Sequence, residues 1–142
     1  MTAIHHNIKP LTCIIGTGID IAQITRFEKT LQRFPKRFPE YVFTPQEQAY
    51  CDSKPIRRTA RYAMLFSAKE ACAKALGTGL RQGVLWQNME IIHLMSGQPT
   101  MIIHGGALKR AKSLMPKNAT PIIHLSLSDE AGLATATVIL GW

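Results

Sequence analysis

Apolar positions along the chain change period several times, and each change predicts an element. Residues 12–22 (TCIIGTGIDIA) alternate as a strand does: Ile15, Thr17, Ile19 and Ile21 share one face, and Gly16, Gly18 and Asp20 share the other. One face is greasy, and the other is nearly bare backbone ending in a carboxylate. Ile24, Phe27 and Leu31 then recur at three- and four-residue spacing, which predicts a helix over residues 21–33. A further helix starts at FTPQEQAYC, with Thr44 as N-cap, Pro45 as first helical residue and Glu47 closing a capping box. Residues 53–79 read as a longer helix, with Arg57, Arg58 and Arg61 near its entrance and Gly77 or Gly79 near its end.

Beyond that helix, NMEIIHL and TMIIHG predict a hairpin around MSGQP, GALKRAKSLM a short amphipathic helix, and IIHLSLS with GLATATVIL a second hairpin. Late strands joined by short turns pair antiparallel, so the expected fold class is α+β, an antiparallel sheet packed against helices. A chain of 142 residues suits one domain, here residues 14–142 after an N-terminal tail of residues 1–13.

Composition narrows the partners. Seventeen Lys and Arg against nine acids give a formal charge of +8, which favours anionic partners. The few aromatics do not alternate with arginines, so a base-stacking surface for nucleic acid is not expected. No apolar run is long enough to span a bilayer, and the start lacks the pattern of a secretion leader, so the expected location is cytoplasmic with no membrane partner. Cys13, Cys51 and Cys72 lack C-x-x-C spacing and read as reduced thiols.

The candidate chemistry lies in FSAKEACAKALGTG, residues 66–79. At 100° per residue, Leu65, Ala68, Cys72, Ala75 and Leu76 form one stripe of the helix. Glu70, Lys74 and Ser67 gather opposite, and Lys69 sits at the stripe's edge. One reading is an i,i+4 pair of Glu70 and Lys74 on a solvated face. The other joins Glu70 to Asp20: a hard cation such as Mg²⁺ takes one or two carboxylates and completes its shell with waters and substrate phosphates. Asp20 also has a plain reading, as a turn or cap carboxylate.

These residues resemble the holo-acyl-carrier-protein synthases, which are short, single-domain 4′-phosphopantetheinyl transferases. IIGTGIDI is similar to the family's G-x-D-[IVL] strand, FTPQE to its L-T-x-x-E helix start, and FSAKEACAKALGTGL to its F-A-A-K-E-A-x-x-K-A-[LF]-G-T-G signature. GQP and IHLSLSDEAGLATATVIL resemble its G-K-P turn and its closing H-x-S-[LI]-[ST]-H-x-x-x-[YF]-A-x-A segment. The resemblance spans about residues 14–140.

It implies the phosphopantetheinyl transferase fold and Mg²⁺-dependent transfer of phosphopantetheine from coenzyme A to a serine of an acidic acyl carrier protein, releasing 3′,5′-ADP for fatty acid biosynthesis. Carried over by position, Asp20 and Glu70 are the catalytic metal carboxylates. Lys74, with Lys69, Gly77 and Asp129, belongs to the coenzyme A side, and Arg26 to the carrier-docking helix. The resemblance also implies a homotrimer with sites between neighbouring subunits. The glycine face beside Asp20 would let a bulky phosphate approach the backbone. The chain departs from the pattern at Leu65 and Tyr41, where the family has arginine, and at Asp129, where it has histidine beside the donor's 3′-phosphate. Each departure removes a cation, which keeps open a divergent member that binds an acidic carrier or nucleotide without efficient transfer.

Overall fold

In a computed structural model of the chain, residues 10–142 are described. Ten regular elements follow in order: β1 (Ile14–Gln23), α1 (Ile24–Arg33), α2 (Arg37–Val42), α3 (Pro45–Asp52), α4 (Arg58–Leu76), β2 (Met89–His93), β3 (Pro99–Ile103), α5 (Gly105–Ser113), β4 (Ile122–Glu130) and β5 (Leu133–Gly141). The fold is α+β, as the late hairpins predict. β5 is the centre of an antiparallel three-stranded sheet, flanked by β1 and β4, and β2 pairs with β3 in a separate two-stranded sheet. Beyond the start of β1, the Cys13 N–H donates to the Trp142 carbonyl at 3.0 Å, so the chain's last residue meets the expected tail. Residues 1–9 of that tail lie outside the described residues.

Local signals account for most boundaries. Thr44 accepts from the Glu47 N–H, Glu47 answers the Thr44 N–H, and Pro45 follows, so α3 begins at the predicted capping box. Gly77 ends α4 in the left-handed region at φ 77°, a conformation that costs glycine no Cβ clash. Several elements differ from expectation. The long helix starts at Arg58 rather than at residue 53, after a 3-10 turn over Pro55–Arg57. The strand runs to Gln23, because Ile21 and Gln23 still pair with Thr135 and Leu133 on β5, so α1 starts at Ile24 rather than at residue 21. α2 carries no usable periodicity in its six residues, and Pro39 sits inside it.

The two faces of β1 are reversed relative to the simplest reading of the alternation. Ile19 is 64% exposed and Ile21 65%, so the greasy face looks outward. Inward-facing Gly16 and Gly18 lie under α4: a Cβ on Gly18 would fall on the Ala71 carbonyl, 2.7 Å from its carbon, and one on Gly16 would meet the Ala75 carbonyl. The space beside the glycines is therefore filled by helix backbone, and the expectation of a phosphate on that face is corrected. α4 is also not amphipathic. It is enclosed on nearly every side, and Ser67, expected on the polar face, is fully buried. Its small residues let β1, β5, α1 and β2 crowd around one helix, which is how an Ala-rich segment becomes the centre of the core.

Candidate active site

Two elements bring the paired carboxylates together. Asp20 is the last inward-facing polar residue of β1, its backbone held to β5 by the Thr135 hydroxyl, which donates to the Asp20 carbonyl at 2.9 Å. Glu70 sits one residue before Ala71, whose carbonyl covers Gly18 two residues from Asp20. The close approach at the glycines thus sets the two carboxylates side by side. Both line a cleft of about 450 Å³ with Ile21, Ala22, Arg26, Phe27, Thr30, Phe38 and Phe66.

The electrostatics of the pair favour a cation beside it. Burial pushes the Glu70 carboxyl above the usual carboxylate range, the Asp20 charge pushes it further, and Lys74 pulls the other way. A divalent ion would relieve the Glu70 charge beside Asp20, and the open cleft leaves room for waters and phosphate oxygens to complete its shell. The residues fit Mg²⁺. Among the described residues no cluster of three or more His, Cys, Asp or Glu forms, so protein groups alone would not enclose the ion.

Lys74 does not close the expected surface pair with Glu70. Its ammonium reaches across to β1, donating to the Ile19 carbonyl at 2.8 Å and lying 3.3 Å from Asp20 Oδ1. Gly77 ends the helix just beyond, where Arg110 Nε donates to the Leu76 carbonyl at 2.9 Å. Arg26 stands on α1 at the cleft's rim, one turn before Thr30, whose hydroxyl donates to the Arg26 carbonyl. The cleft also has an aromatic wall: Phe27 lies edge-on to Phe66 at 5.0 Å between ring centroids, and Phe66 stacks on Trp86 at 4.8 Å. This wall is not legible in the sequence, because Phe27, Phe66 and Trp86 come from α1, α4 and the segment before β2, and each reads singly as core.

Lys69 is corrected. Expected on the donor side, it is fully buried and pairs with the equally buried Glu47 at 2.8 Å. Its ammonium also donates to the carbonyls of Val42 and Trp86, at 3.0 and 3.1 Å. Glu47 in turn accepts from the N–H groups of Thr44 and Ile91. The charges are matched and bonded, which is the condition for holding them in a core, and the network pins α3, α4 and β2 together. Lys69→Met should therefore cost about 3–5 kcal/mol by stranding the Glu47 charge. The double variant Lys69→Met with Glu47→Gln should recover much of that loss, as denaturant midpoints would record. Equal midpoints for wild type and Lys69→Met would remove the pair from the stability account.

Asp129 is not a bare anion. Arg57, just ahead of α4, grips it through two nitrogens at 2.7 and 2.9 Å and holds its carboxyl below the usual range. Tyr41 is 71% exposed and Leu65 is buried, so one of the remaining departures lies at the surface and the other in the core.

Comparison with known proteins gives the chain its relatives. Residues 16–136 match the model of the 4′-phosphopantetheinyl transferase superfamily. The holo-[acyl-carrier-protein] synthase of Caulobacter vibrioides is 50% identical over 127 residues, covering 89% of this chain and 95% of that one. Among solved structures, the holo-[acyl-carrier-protein] synthase of Neisseria meningitidis superimposes with a TM-score of 0.77 at 30% identity, covering 92% of this chain and 100% of that one. The Helicobacter pylori holo-[acyl-carrier-protein] synthase, solved in complex with coenzyme A, gives 0.75 at 29% identity, covering 88% and 99%.

Proposed function

Since the chain belongs to the 4′-phosphopantetheinyl transferase superfamily, among the holo-[acyl-carrier-protein] synthases, we propose that it transfers 4′-phosphopantetheine from coenzyme A to a serine of an apo acyl carrier protein, with Mg²⁺ and with release of 3′,5′-ADP. The observation that carries this reading is the pairing of Asp20 with Glu70 at one cleft that Arg26 borders. Residues 14–142 form the transferase domain in this reading, acting in the cytoplasm in fatty acid biosynthesis. Among the described residues no helix is long and apolar enough to cross a membrane.

The chemistry asks for positioning more than for covalent help. The carrier serine oxygen forms a bond to the phosphorus that bears pantetheine, the anhydride bond to 3′,5′-ADP breaks, and the serine proton passes to water. A magnesium ion held by Asp20 and Glu70 would neutralise the charge developing on the leaving phosphate. Lys74, its ammonium beside Asp20, offers a point charge to the donor's phosphates. Gly77 ends α4 three residues after Lys74. Arg26 faces an acidic carrier from the rim, and the Phe27, Phe38 and Phe66 wall shields its side of the cleft from water. Asp129 acts on the donor side through Arg57: the pair presents a braced guanidinium instead of an unmatched carboxylate, which favours a working transferase over a binding-only relative.

The outward isoleucines of β1 support a homotrimer. Ile14, Ile19 and Ile21 are each more than half exposed on one strand face, an apolar surface that a second copy would cover. Light scattering at the mass of three chains is the expected result, and a monomer at micromolar concentration would contradict it. For the donor, calorimetry should show coenzyme A binding that Mg²⁺ tightens. Absence of binding with and without Mg²⁺ would overturn the transferase reading.

A further inference from the structure

We propose that Lys74 is a built-in counter-cation for Asp20, holding that carboxylate while no metal is bound and yielding it when metal and donor arrive. The proposal rests on the reading of Asp20 and Glu70 as the metal pair. Its basis is a choice the side chain makes. Lys74 stands four residues after Glu70, the spacing at which lysine and glutamate pair on a helix surface. Its ammonium instead crosses to β1, 2.8 Å from the Ile19 carbonyl and 3.3 Å from Asp20 Oδ1.

The two partners differ in what they demand. Asp20 has only 16% of its side chain exposed and lines the same cleft as the Glu70 carboxylate. Among the described residues, Lys74 is the cation whose ammonium reaches the Asp20 carboxylate. The Lys74 side chain is 53% exposed, which leaves its ammonium room to swing. The Ile19 carbonyl anchors one of its three donors, and the ammonium can pivot there from carboxylate to phosphate without leaving β1.

Two consequences follow for the equilibrium. Metal and ammonium compete for Asp20, so Lys74 lowers Mg²⁺ affinity in the donor-free protein. A donor phosphate gives the ammonium another anion, so each ligand helps the other to bind, and by linkage the coupling is reciprocal. Lys74 is thus a reason for metal and donor to enter together.

The test is calorimetric titration of the full chain with MgCl₂, in wild type and Lys74→Met, with and without coenzyme A. Lys74→Met should bind Mg²⁺ about threefold to fivefold more tightly without coenzyme A, the upper range for an exposed pair. The enhancement of Mg²⁺ affinity by coenzyme A should shrink by a similar factor. Lys74→Gln gives the same comparison if the methionine variant does not fold. A lysine that merely tied α4 to β1 would lower the melting temperature of the variant without tightening metal binding. Unchanged or weaker Mg²⁺ binding in both variants would therefore overturn the counter-cation role alone. A wild type that binds no Mg²⁺, with or without coenzyme A, would overturn the metal-pair reading as well.

Discussion

Glu70→Gln should lower transfer of phosphopantetheine to an apo carrier by at least about 100-fold, the upper end of what is lost when a group that only orients a metal ligand is removed. The substitution preserves size and hydrogen-bonding capacity and removes one negative charge. In the metal-free protein that charge is unwelcome, since burial and the Asp20 carboxylate both push the Glu70 carboxyl upward. The melting temperature of Glu70→Gln in the absence of Mg²⁺ should accordingly stay level or rise. Lost turnover with retained stability separates a residue kept for chemistry from one kept for the fold. Full turnover in Glu70→Gln would retire the assignment of Glu70 as a metal ligand.

Gly18→Ala should damage both the fold and the site through a single added methyl. Its Cβ would land on the Ala71 carbonyl, which is backbone in the middle of a buried helix and cannot rotate out of the way. Overpacking a core costs about 1–3 kcal/mol and occasionally more, and a clash with backbone belongs at the top of that range. The damage would reach the site as well, because Gly18 is two residues from Asp20 and Ala71 adjoins Glu70, so any shift that relieves the clash separates the carboxylates. Denaturant midpoints and turnover should fall together in Gly18→Ala. A wild-type midpoint would mean that α4 and β1 do not approach as closely as described.

How much of this was legible in the sequence depended on whether a residue's partner lay nearby in the chain. The start of α3 was, because Thr44 and Glu47 answer one another within a single turn. The end of α4 and both hairpins were too, since Gly77 and the late turns carry their conformations locally. Asp20 and Glu70 could be nominated one by one, and the fold brings them to one cleft. Lys69 could not be placed, because its partner Glu47 lies in another helix and periodicity puts a lysine at a stripe's edge whether that edge is wet or enclosed. Arg57 and Asp129 are 72 positions apart, so the neutralisation of that carboxylate was out of reach of any local pattern. The glycines of β1 failed for a different reason. A bare strand face invites close approach by a ligand or by a helix, and the two leave the same residues behind.

The central claim is that Asp20 and Glu70 serve phosphopantetheine transfer, and intact-mass spectrometry of an apo acyl carrier protein tests it most directly. The carrier would be incubated with coenzyme A, Mg²⁺ and this protein, then with the Asp20→Ala and Glu70→Gln variants. With the wild type, the carrier should gain the mass of one phosphopantetheine at its serine, and it should gain none when Mg²⁺ is chelated or either carboxylate is replaced. A carrier left unmodified by the folded wild-type protein with coenzyme A and Mg²⁺, or modified equally by the variants, would contradict the account.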